Sequence, residues 1–331
     1  MQNAVARTAI VPVSELAVNP SLQPSLVEPE YLSECSPRDK PWDAHRTDAD
    51  EVAKIYTSAE EFKKLAARVD LCSQILGFAW SPDKEAPGVS SLKLRVAHFC
   101  RVRHCPICQW RRALMWLARF LEALPALVET YPTARFLFLT LTRRNVPVED
   151  LRESLAQMNK GWERLRKKKA FGVVSGWVRT TEVTRGADNS AHPHFHVLLM
   201  VPSNYFSGRG YVTQAAWSEL WRDAIRADYQ PMVDVRAVKG EAGLIGGVRE
   251  TLKYAVKPSD MVADYGWFKE MTRQLHKLRF IAAGGVLKNV LRPEQETEDD
   301  LMLFGDDADK GEEPSVFFHW SKPVKKYRRK V

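Results

Sequence analysis

The sequence has no long apolar run. In 331 residues no stretch reaches the roughly 18 apolar residues that a membrane-spanning helix needs. The first residues are interrupted by Pro12 and Glu15, where a signal peptide would be continuously apolar. These absences argue against a membrane anchor and predict a cytosolic protein without a membrane partner.

Cysteine is scarce, and the odd total of five argues against a disulfide framework. Three cysteines lie within nine residues, in a C-x4-C-x2-C spacing: Cys100, Cys105 and Cys108. With a fourth ligand these thiolates would form a closed, tetrahedral structural Zn²⁺ site. We take Cys72 as the candidate fourth ligand, with His104 and His98 as the alternatives. Buried free cysteines are the other interpretation.

Positive charge surrounds this cluster and extends through most of the chain. Residues 294–313 hold ten Asp or Glu against one lysine, a net charge of −9, and residues 314–331 carry +6. Because the whole chain carries +8, residues 1–293 carry +11. This surplus favours a nucleic-acid partner, although a solvated basic surface has the same composition. Four arginines beside the cysteines are candidate DNA-backbone contacts: Arg101, Arg103, Arg111 and Arg112.

Composition divides the chain into four predicted regions. Residues 1–47 contain six prolines and no sustained periodicity, so we expect them to be mostly disordered. Residues 48–130 are predicted to form a helical region that holds the cysteine cluster. Residues 131–292 are predicted to form the catalytic domain, and residues 293–331 a solvated tail that is first acidic and then basic.

Strand and helix patterns alternate within the predicted catalytic domain. Period-two alternation predicts a strand over Arg135–Thr142, and turn residues at 185–191 predict a hairpin of two further strands. The predicted strands span residues 135–142, 176–184, 192–201 and 232–238. The predicted helices span residues 148–166 and 244–256, and another helix is predicted to begin at residue 213. This order predicts an α+β fold with helices packed on a central antiparallel sheet.

The second hairpin strand carries the pattern that indicates a metal site. In an extended strand His194 and His196 project from the same face, where two imidazoles can share one ion. A hairpin loop at 185–191 would place Glu182 directly opposite His194. Such ligands suit a catalytic Mg²⁺ or Mn²⁺, and Zn²⁺ and Fe²⁺ also accept them. His192, on the same face, could replace Glu182 or support the ligands.

The last predicted helix presents reactive groups on one face. Glu250, Lys253, Tyr254 and Lys257 follow each other at helical spacing. A phenol has a pKa near 10, so nucleophilic attack by Tyr254 requires nearby cations and a metal ion. Lys253 and Lys257 could supply positive charge and contact DNA, and Glu250 could act as a general base. An ordinary exposed helix face is the alternative.

Four segments together resemble the plasmid rolling-circle replication initiator (Rep) proteins of the HUH endonuclease superfamily: CRVRHCPIC (100–108), FLFLTLTRRN (136–145), HPHFHVLL (192–199) and RETLKYAVKPSD (249–260). The resemblance covers about Cys72 to Asp260. It implies an HUH endonuclease-like fold, with a zinc-stabilised helical region preceding it. No motif fixes the third metal ligand, so Glu182 follows from spacing alone.

The resemblance also implies an activity and roles for the candidate residues. Tyr254 would nick one strand of origin DNA and form a 5′-phosphotyrosine, with His194 and His196 as metal ligands. Glu250 would favour hydrolysis at termination. Such a protein would act in the bacterial cytoplasm on single-stranded and origin plasmid DNA.

The sequence contains no GK[ST] phosphate-binding loop of the kind helicases use, so a host helicase and polymerase are expected partners. Two other readings use the same residues. An HUH relaxase or transposase would apply the same chemistry to different DNA. A non-catalytic, zinc-dependent DNA-binding regulator would not need Tyr254.

Overall fold

The computed structural model describes residues 30–82, 90–252, 256–289, 301–302 and 313–330. Its helices are α1 Leu32–Cys35, α2 Pro41–Thr57, α3 Lys63–Leu71, α4 Pro106–Thr130, α5 Leu151–Arg166, α6 Gln214–Ile225, α7 Gly240–Thr251, α8 Pro258–Ala263 and α9 Tyr265–Gln274. Its strands are β1 Ile75–Pro82, β2 Ser90–Ala97, β3 Arg135–Thr142, β4 Gly176–Arg185, β5 Ala191–Val201, β6 Val233–Val238, β7 Ile281–Gly285, β8 Val316–Ser321 and β9 Lys326–Arg329.

The larger sheet has five antiparallel strands in the order β6-β3-β5-β4-β7. The mixture of helices with antiparallel sheets confirms the predicted α+β class. Strand β3 has the predicted bounds, and β4 and β5 each extend one residue further into the turn than predicted. Strand β7, at one edge of the sheet, was not predicted, because IAAGG lacks the large alternating apolar residues that mark a strand.

Helices cover both faces of this sheet. One face carries large apolar residues such as Leu139 and Phe195, which belong to the same buried core as Trp162 of α5 and Trp221 of α6. On the opposite face, residues of β4 and β5 share a second core with α4 and α7: Phe120, Val178, Leu198, Met200, Leu244, Val248 and Leu252. Each such buried side chain contributes roughly 1.5–3 kcal/mol. This second core occupies one end of the face and leaves polar residues at the other.

Helix α4 connects the cysteine cluster to the larger sheet. It begins at Pro106, because proline at the first helical position has the required φ and loses no hydrogen bond. Its 25 residues include Pro125. None of the helices in the described part of the chain combines the length and apolar character of a membrane-spanning segment.

A second, four-stranded antiparallel sheet, in the order β2-β1-β8-β9, corrects two predictions. The region 48–130 is not only helical, since it contributes β1 and β2. The region 293–331 is not only a solvated tail, since residues 316–329 form β8 and β9. Buried residues alternate along these strands at Val316, Phe318 and Trp320, a period-two pattern that the neighbouring charges hid.

The N-terminal region also differs from its prediction. Residues 1–29 lie outside the described residues, but residues 30–47 form α1 and the beginning of α2 rather than disordered chain. Pro41 is the first residue of α2, so a proline that suggested irregular structure instead starts a helix. Trp42 and Arg46 of this helix are fully buried.

Arg46 holds the end of the next helix. Its guanidinium donates hydrogen bonds to the carbonyl oxygens of Val69, Asp70 and Cys72, each at 2.9 Å, and to the Asp50 carboxylate at 2.6 Å. The last carbonyls of a helix have no partner within the helix. Arg46 therefore caps α3 and fixes the backbone of Cys72.

We predict that Arg46→Met lowers the free energy of unfolding by about 3 kcal/mol, because it removes a buried donor shared by three carbonyls and the ion-pair partner of Asp50. The matched control is Lys54→Met on the same helix, whose exposed ion pair with Glu51 should contribute little to stability. Urea denaturation followed by circular dichroism measures both. Equal stability of the two variants would contradict the capping role.

Candidate metal and catalytic sites

Three metal-ligand side chains meet on β4 and β5. Glu182 pairs with His194 in the β-ladder, which confirms the predicted register. One carboxylate oxygen, Glu182 Oε2, lies 3.1 Å from His194 Nε2 and 2.8 Å from His196 Nε2. All three residues are buried, with 2%, 8% and 6% of their surfaces exposed. We call this group the Glu-His-His cluster.

Each imidazole is oriented by a contact at Nδ1, the ring nitrogen that does not face Glu182. His194 Nδ1 lies 3.3 Å from the carbonyl oxygen of His192, and His196 Nδ1 lies 3.3 Å from Thr140 Oγ1. Donation from Nδ1 leaves the Nε2 lone pairs directed at the shared centre, as in metal-binding histidines. Thr140 was missed as a functional residue, although it pairs with His196 and its strand alternation placed it on this face.

His192 lies beside the cluster rather than in it. Its ring centroid is 5.2 Å from that of His194, and it is absent from the set of close ligand atoms among the described residues. Burial, followed by the neighbouring His194, lowers the pKa of His192. Its ring is therefore neutral near pH 7 and can support the cluster without adding charge.

The donor set fits a divalent cation. The ligand atoms of the Glu-His-His cluster all lie within 4.8 Å of one another, and the set combines two imidazoles with one carboxylate. Three protein ligands leave coordination positions open for water or substrate, which distinguishes catalytic from structural sites. The cluster could therefore hold a metal ion that also contacts a ligand.

The four predicted cysteines form a second compact group. Cys108 Sγ lies 3.6 Å from both Cys72 Sγ and Cys100 Sγ, and all four sulfur atoms, including that of Cys105, lie within 4.8 Å of one another. The backbone N–H of Cys100 donates to Cys72 Sγ. Hydrogen bonds from the neighbouring thiols lower the pKa of Cys72, whereas burial raises that of Cys105. We call this group the four-cysteine cluster.

The two alternative ligands lie outside that cluster. His98 is exposed, and His104 is buried with its ring against Phe268. Burial lowers the pKa of His104 to about 3. Cys72 is thus the predicted candidate that the structure brings next to the other three cysteines. Four thiolates in this arrangement match the ligands of a structural Zn²⁺ site.

The structure separates the four candidate arginines. Arg111 is buried, and its guanidinium donates to the carbonyl oxygens of Leu301 at 2.7 Å and Met302 at 2.9 Å. This internal role contradicts the prediction that Arg111 contacts DNA. Arg101, Arg103 and Arg112 remain partly exposed, so their DNA contacts stay a prediction.

The predicted nucleophile helix ends earlier than expected. Lys253 and Tyr254 lie outside the described residues, and Glu250 is half-buried in the last turn of α7, which ends at Thr251 rather than at Val256. Lys257 is exposed and extended, because the following Pro258 disfavours helical backbone before it. Lys257 is the N-cap residue that precedes α8 and does not share the helix face of Glu250, so that prediction is wrong.

The described residues on either side of this segment are tied to β4. The Thr180 hydroxyl donates to the carbonyl oxygen of Thr251, and the backbone N–H of Arg185 donates to Asp260 Oδ2 at 3.0 Å. Glu182 lies between Thr180 and Arg185 on the same strand. The chain from 251 to 260 is therefore anchored on both sides of the Glu-His-His cluster.

Comparison with known proteins assigns the family. A family model described as "Replication protein" matches residues 91–328. A "Protein rep" of Streptococcus pneumoniae serotype 2 (strain D39 / NCTC 7466) is 34% identical over 281 residues, which cover 82% of this chain and 86% of that protein. A "Protein rep" of Lentilactobacillus hilgardii is also 34% identical, over 82% of this chain and 88% of its own. No solved structure matches.

The chain therefore belongs to the replication protein (Rep) family, and the sequence-based assignment to the plasmid Rep initiators is confirmed. A "Protein rep" of a Bacillus species is 38% identical over 221 residues, which cover 62% of this chain and 70% of that protein. Membership of this family implies that the protein binds plasmid origin DNA.

We predict that the purified chain carries about one Zn²⁺ in the four-cysteine cluster and that Cys108→Ser loses it, because three thiolates and a hydroxyl bind zinc more weakly. The fifth cysteine supplies the control, since Cys35 lies outside the cluster and Cys35→Ser should keep its zinc. Plasma mass spectrometry measures the metal content. A wild-type protein without zinc, or a Cys108→Ser variant that retains it, would contradict the assignment.

Proposed function

We propose that this Rep protein nicks one strand of plasmid origin DNA, with Tyr254 as the nucleophile and a divalent metal ion held by Glu182, His194 and His196. One observation carries the proposal. The chain that contains Tyr254 is attached to β4 on both sides of Glu182, through Thr180 and Arg185. A phosphate bound at the Glu-His-His cluster would thus lie within reach of that chain.

The length of the chain supports this placement. Tyr254 follows the anchored Thr251 by three residues, so its backbone cannot be more than about 11 Å from that of Thr251. Thr180, which holds Thr251, pairs with the metal-ligand candidate His196 in the β-ladder. A tyrosine side chain adds further reach. The nucleophile and the ligand cluster therefore belong to one site in this proposal.

The proposed reaction conserves the energy of the phosphodiester bond. The Oη atom of Tyr254 forms a bond to phosphorus, and the bond between phosphorus and the 3′-oxygen breaks. The phenol proton is lost to solvent base, and the departing 3′-oxygen takes up a proton. A bound divalent ion would polarise the phosphate and favour the phenolate. The products are a 5′-phosphotyrosine and a free 3′-hydroxyl, which can later be rejoined.

The neighbouring charges would assist this reaction. Lys257 is exposed just before α8 and can contact the DNA backbone, as can Lys253 in the chain segment beside Tyr254. Glu250 would act as a general base at termination, when a water or a 3′-hydroxyl attacks the phosphotyrosine.

The cofactors and partners follow from this reaction. We infer Mg²⁺ or Mn²⁺ at the Glu-His-His cluster and Zn²⁺ at the four-cysteine cluster. The nickase would correspond to residues 131–292, which contain the larger sheet, and its HUH-type fold to that sheet and its helices. Host helicase and polymerase would extend the nicked strand in the bacterial cytoplasm, since the chain has no GK[ST] loop.

We predict that Tyr254→Phe abolishes nicking of supercoiled origin DNA in Mn²⁺, because it removes the attacking oxygen and little else. The matched control is Tyr265→Phe, at an exposed tyrosine of α9, which should nick at the wild-type rate. Mass spectrometry of the protein–DNA adduct should place the 5′-phosphate on Tyr254. An adduct on another tyrosine would move the nucleophile, and origin binding without nicking in either metal would favour a non-catalytic regulator.

Glu250→Gln should separate the two steps. We expect nicking within about threefold of wild type, whereas hydrolysis of the phosphotyrosine adduct should slow by about 10²-fold, the usual effect of removing a general base. Single-turnover assays with a labelled oligonucleotide measure both rates. Glu219→Gln, on the exposed face of α6, is the control. Equal loss of both rates would assign Glu250 to structure or metal binding instead.

A further inference from the structure

The smaller sheet differs from the rest of the chain in its charge. Its four strands contain no Asp or Glu, although the whole chain has 41 acidic residues. The same strands carry five basic residues: Lys93, Arg95, Lys326, Arg328 and Arg329. The residues of these strands therefore contribute only positive charge.

One face of this sheet is packed and the other is open. On the packed face Phe318, Trp320 and Tyr327 are buried, and Trp320 donates a hydrogen bond from its indole to Asp50 of α2. The open face carries the intervening residues, among them Ile75, which is 50% exposed. We call it the outer face.

A half-buried phenylalanine lies at the middle of the outer face. Phe317 of β8 pairs with Gly77 of β1, which in turn pairs with Val96 of β2. A Cβ atom at Gly77 would come within 2.8 Å of the Phe317 ring, so the ring lies across the glycine. Lys330, which is exposed, donates its backbone N–H to the Phe317 carbonyl oxygen. The sheet therefore presents an aromatic ring with a cation on the neighbouring strand.

The adjacent row of the sheet adds polar groups. His319 pairs with Ile75 on one side and with Arg328 on the other, and both His319 and Arg328 are exposed. Arg328 forms an ion pair with Glu30 in which both side chains are exposed, and a pair of that kind contributes little to stability. A phosphate can replace this carboxylate as the partner of the guanidinium.

A further cation lies on β2. Lys93 is flanked by the buried Leu92 and Leu94, so strand alternation directs it to the outer face. It pairs with Ala79 of β1, which is buried. Cations thus flank the aromatic ring on both sides of the sheet.

We propose that the outer face binds a single strand of DNA, with a base stacked on Phe317 and phosphates at Lys93, Arg328 and Lys330. Sheets that combine aromatic rings with surrounding cations bind single strands in this way, because every base has a face to stack and every nucleotide a phosphate. The inference rests on the DNA binding that the Rep family implies. It adds a second contact surface to the nicking site, formed by different strands.

Charge and shape favour single-stranded DNA over other occupants. A sheet of four strands is wider than the two-stranded ribbon that a major groove admits, whereas its face can stack on the exposed bases of a single strand. Nicking at an origin produces such a strand. The acidic segment 294–313 of this chain is the competing occupant, since it carries −9.

The test measures binding of the full chain as purified to a 30-nucleotide single strand by fluorescence anisotropy, without added Mg²⁺ or Mn²⁺ and at 50–200 mM KCl. Lys93→Gln combined with Lys330→Gln should reduce the slope of log K against log salt by about 1.4, because two phosphate contacts are lost. Phe317→Leu keeps an apolar side chain but removes stacking, and should raise Kd about tenfold. Lys40→Gln combined with Lys64→Gln, at exposed lysines of the helical region, is the matched control.

Each outcome decides the proposal. The variant with Lys93→Gln and Lys330→Gln keeps the test valid even if Phe317→Leu fails to fold, which its thermal melt would show. Unchanged Kd and an unchanged salt slope in both variants would overturn the proposal. It would also be overturned if the variants bound duplex DNA more weakly but bound the single strand as tightly as wild type. Protease protection of residues 294–313 that depends on Lys93 and Lys330, with unchanged DNA affinity, would assign the face to the acidic segment. Nicking by Tyr254 is assayed separately, so its failure would not affect this result.

Discussion

The pairing of β4 with β5 is the constraint on which the larger sheet and its site depend. A shift of one residue would turn Glu182, His194 and His196 to the opposite face and bury them among the tryptophans of α5 and α6. The apolar residues that follow each of these histidines prevent such a shift, because Phe195 and Val197 would then leave the core. Hydrophobic burial thus fixes the geometry of the polar cluster.

The same pairing explains how much of the site could be predicted. Alternation along AHPHFHVLLMV and the position of the turn determine which residues share a face, so Glu182 could be placed opposite His194 from spacing alone. Hydrogen bonds between elements that are distant in the sequence leave no comparable pattern. The Thr180 contact to Thr251 and the Arg185 contact to Asp260 join segments about 70 residues apart, and no local pattern encodes them.

Local sequence patterns likewise did not show which charged residues are buried. Arg111 resembled its neighbouring arginines in sequence, yet its guanidinium lies inside the protein against backbone carbonyls. Charge near the C-terminus suggested a solvated tail, whereas β8 and β9 complete a sheet. The sequence shows where each basic residue stands along the chain. In each case, however, the group it packs against comes from a remote part of the chain.

The four-cysteine cluster joins three elements that also share one hydrophobic core. Cys72 follows α3, Cys100 follows β2, and Cys105 and Cys108 border the start of α4. An ion held by these four sulfur atoms would link the small sheet to the helix that packs on the larger one. Arg46 of α2 also holds this region together without a metal ion, because its guanidinium donates a hydrogen bond to the carbonyl oxygen of Cys72.

The order of strands in the smaller sheet has a consequence for biosynthesis. Strand β1 pairs with β8, which lies some 240 residues further along the chain, so this sheet has a very high contact order. During translation the N-terminal helices and the larger sheet can form first, while β1 and β2 wait as a hairpin with an unpaired edge. The outer face of the sheet, and any ligand that depends on it, becomes complete only when the ribosome has released β9.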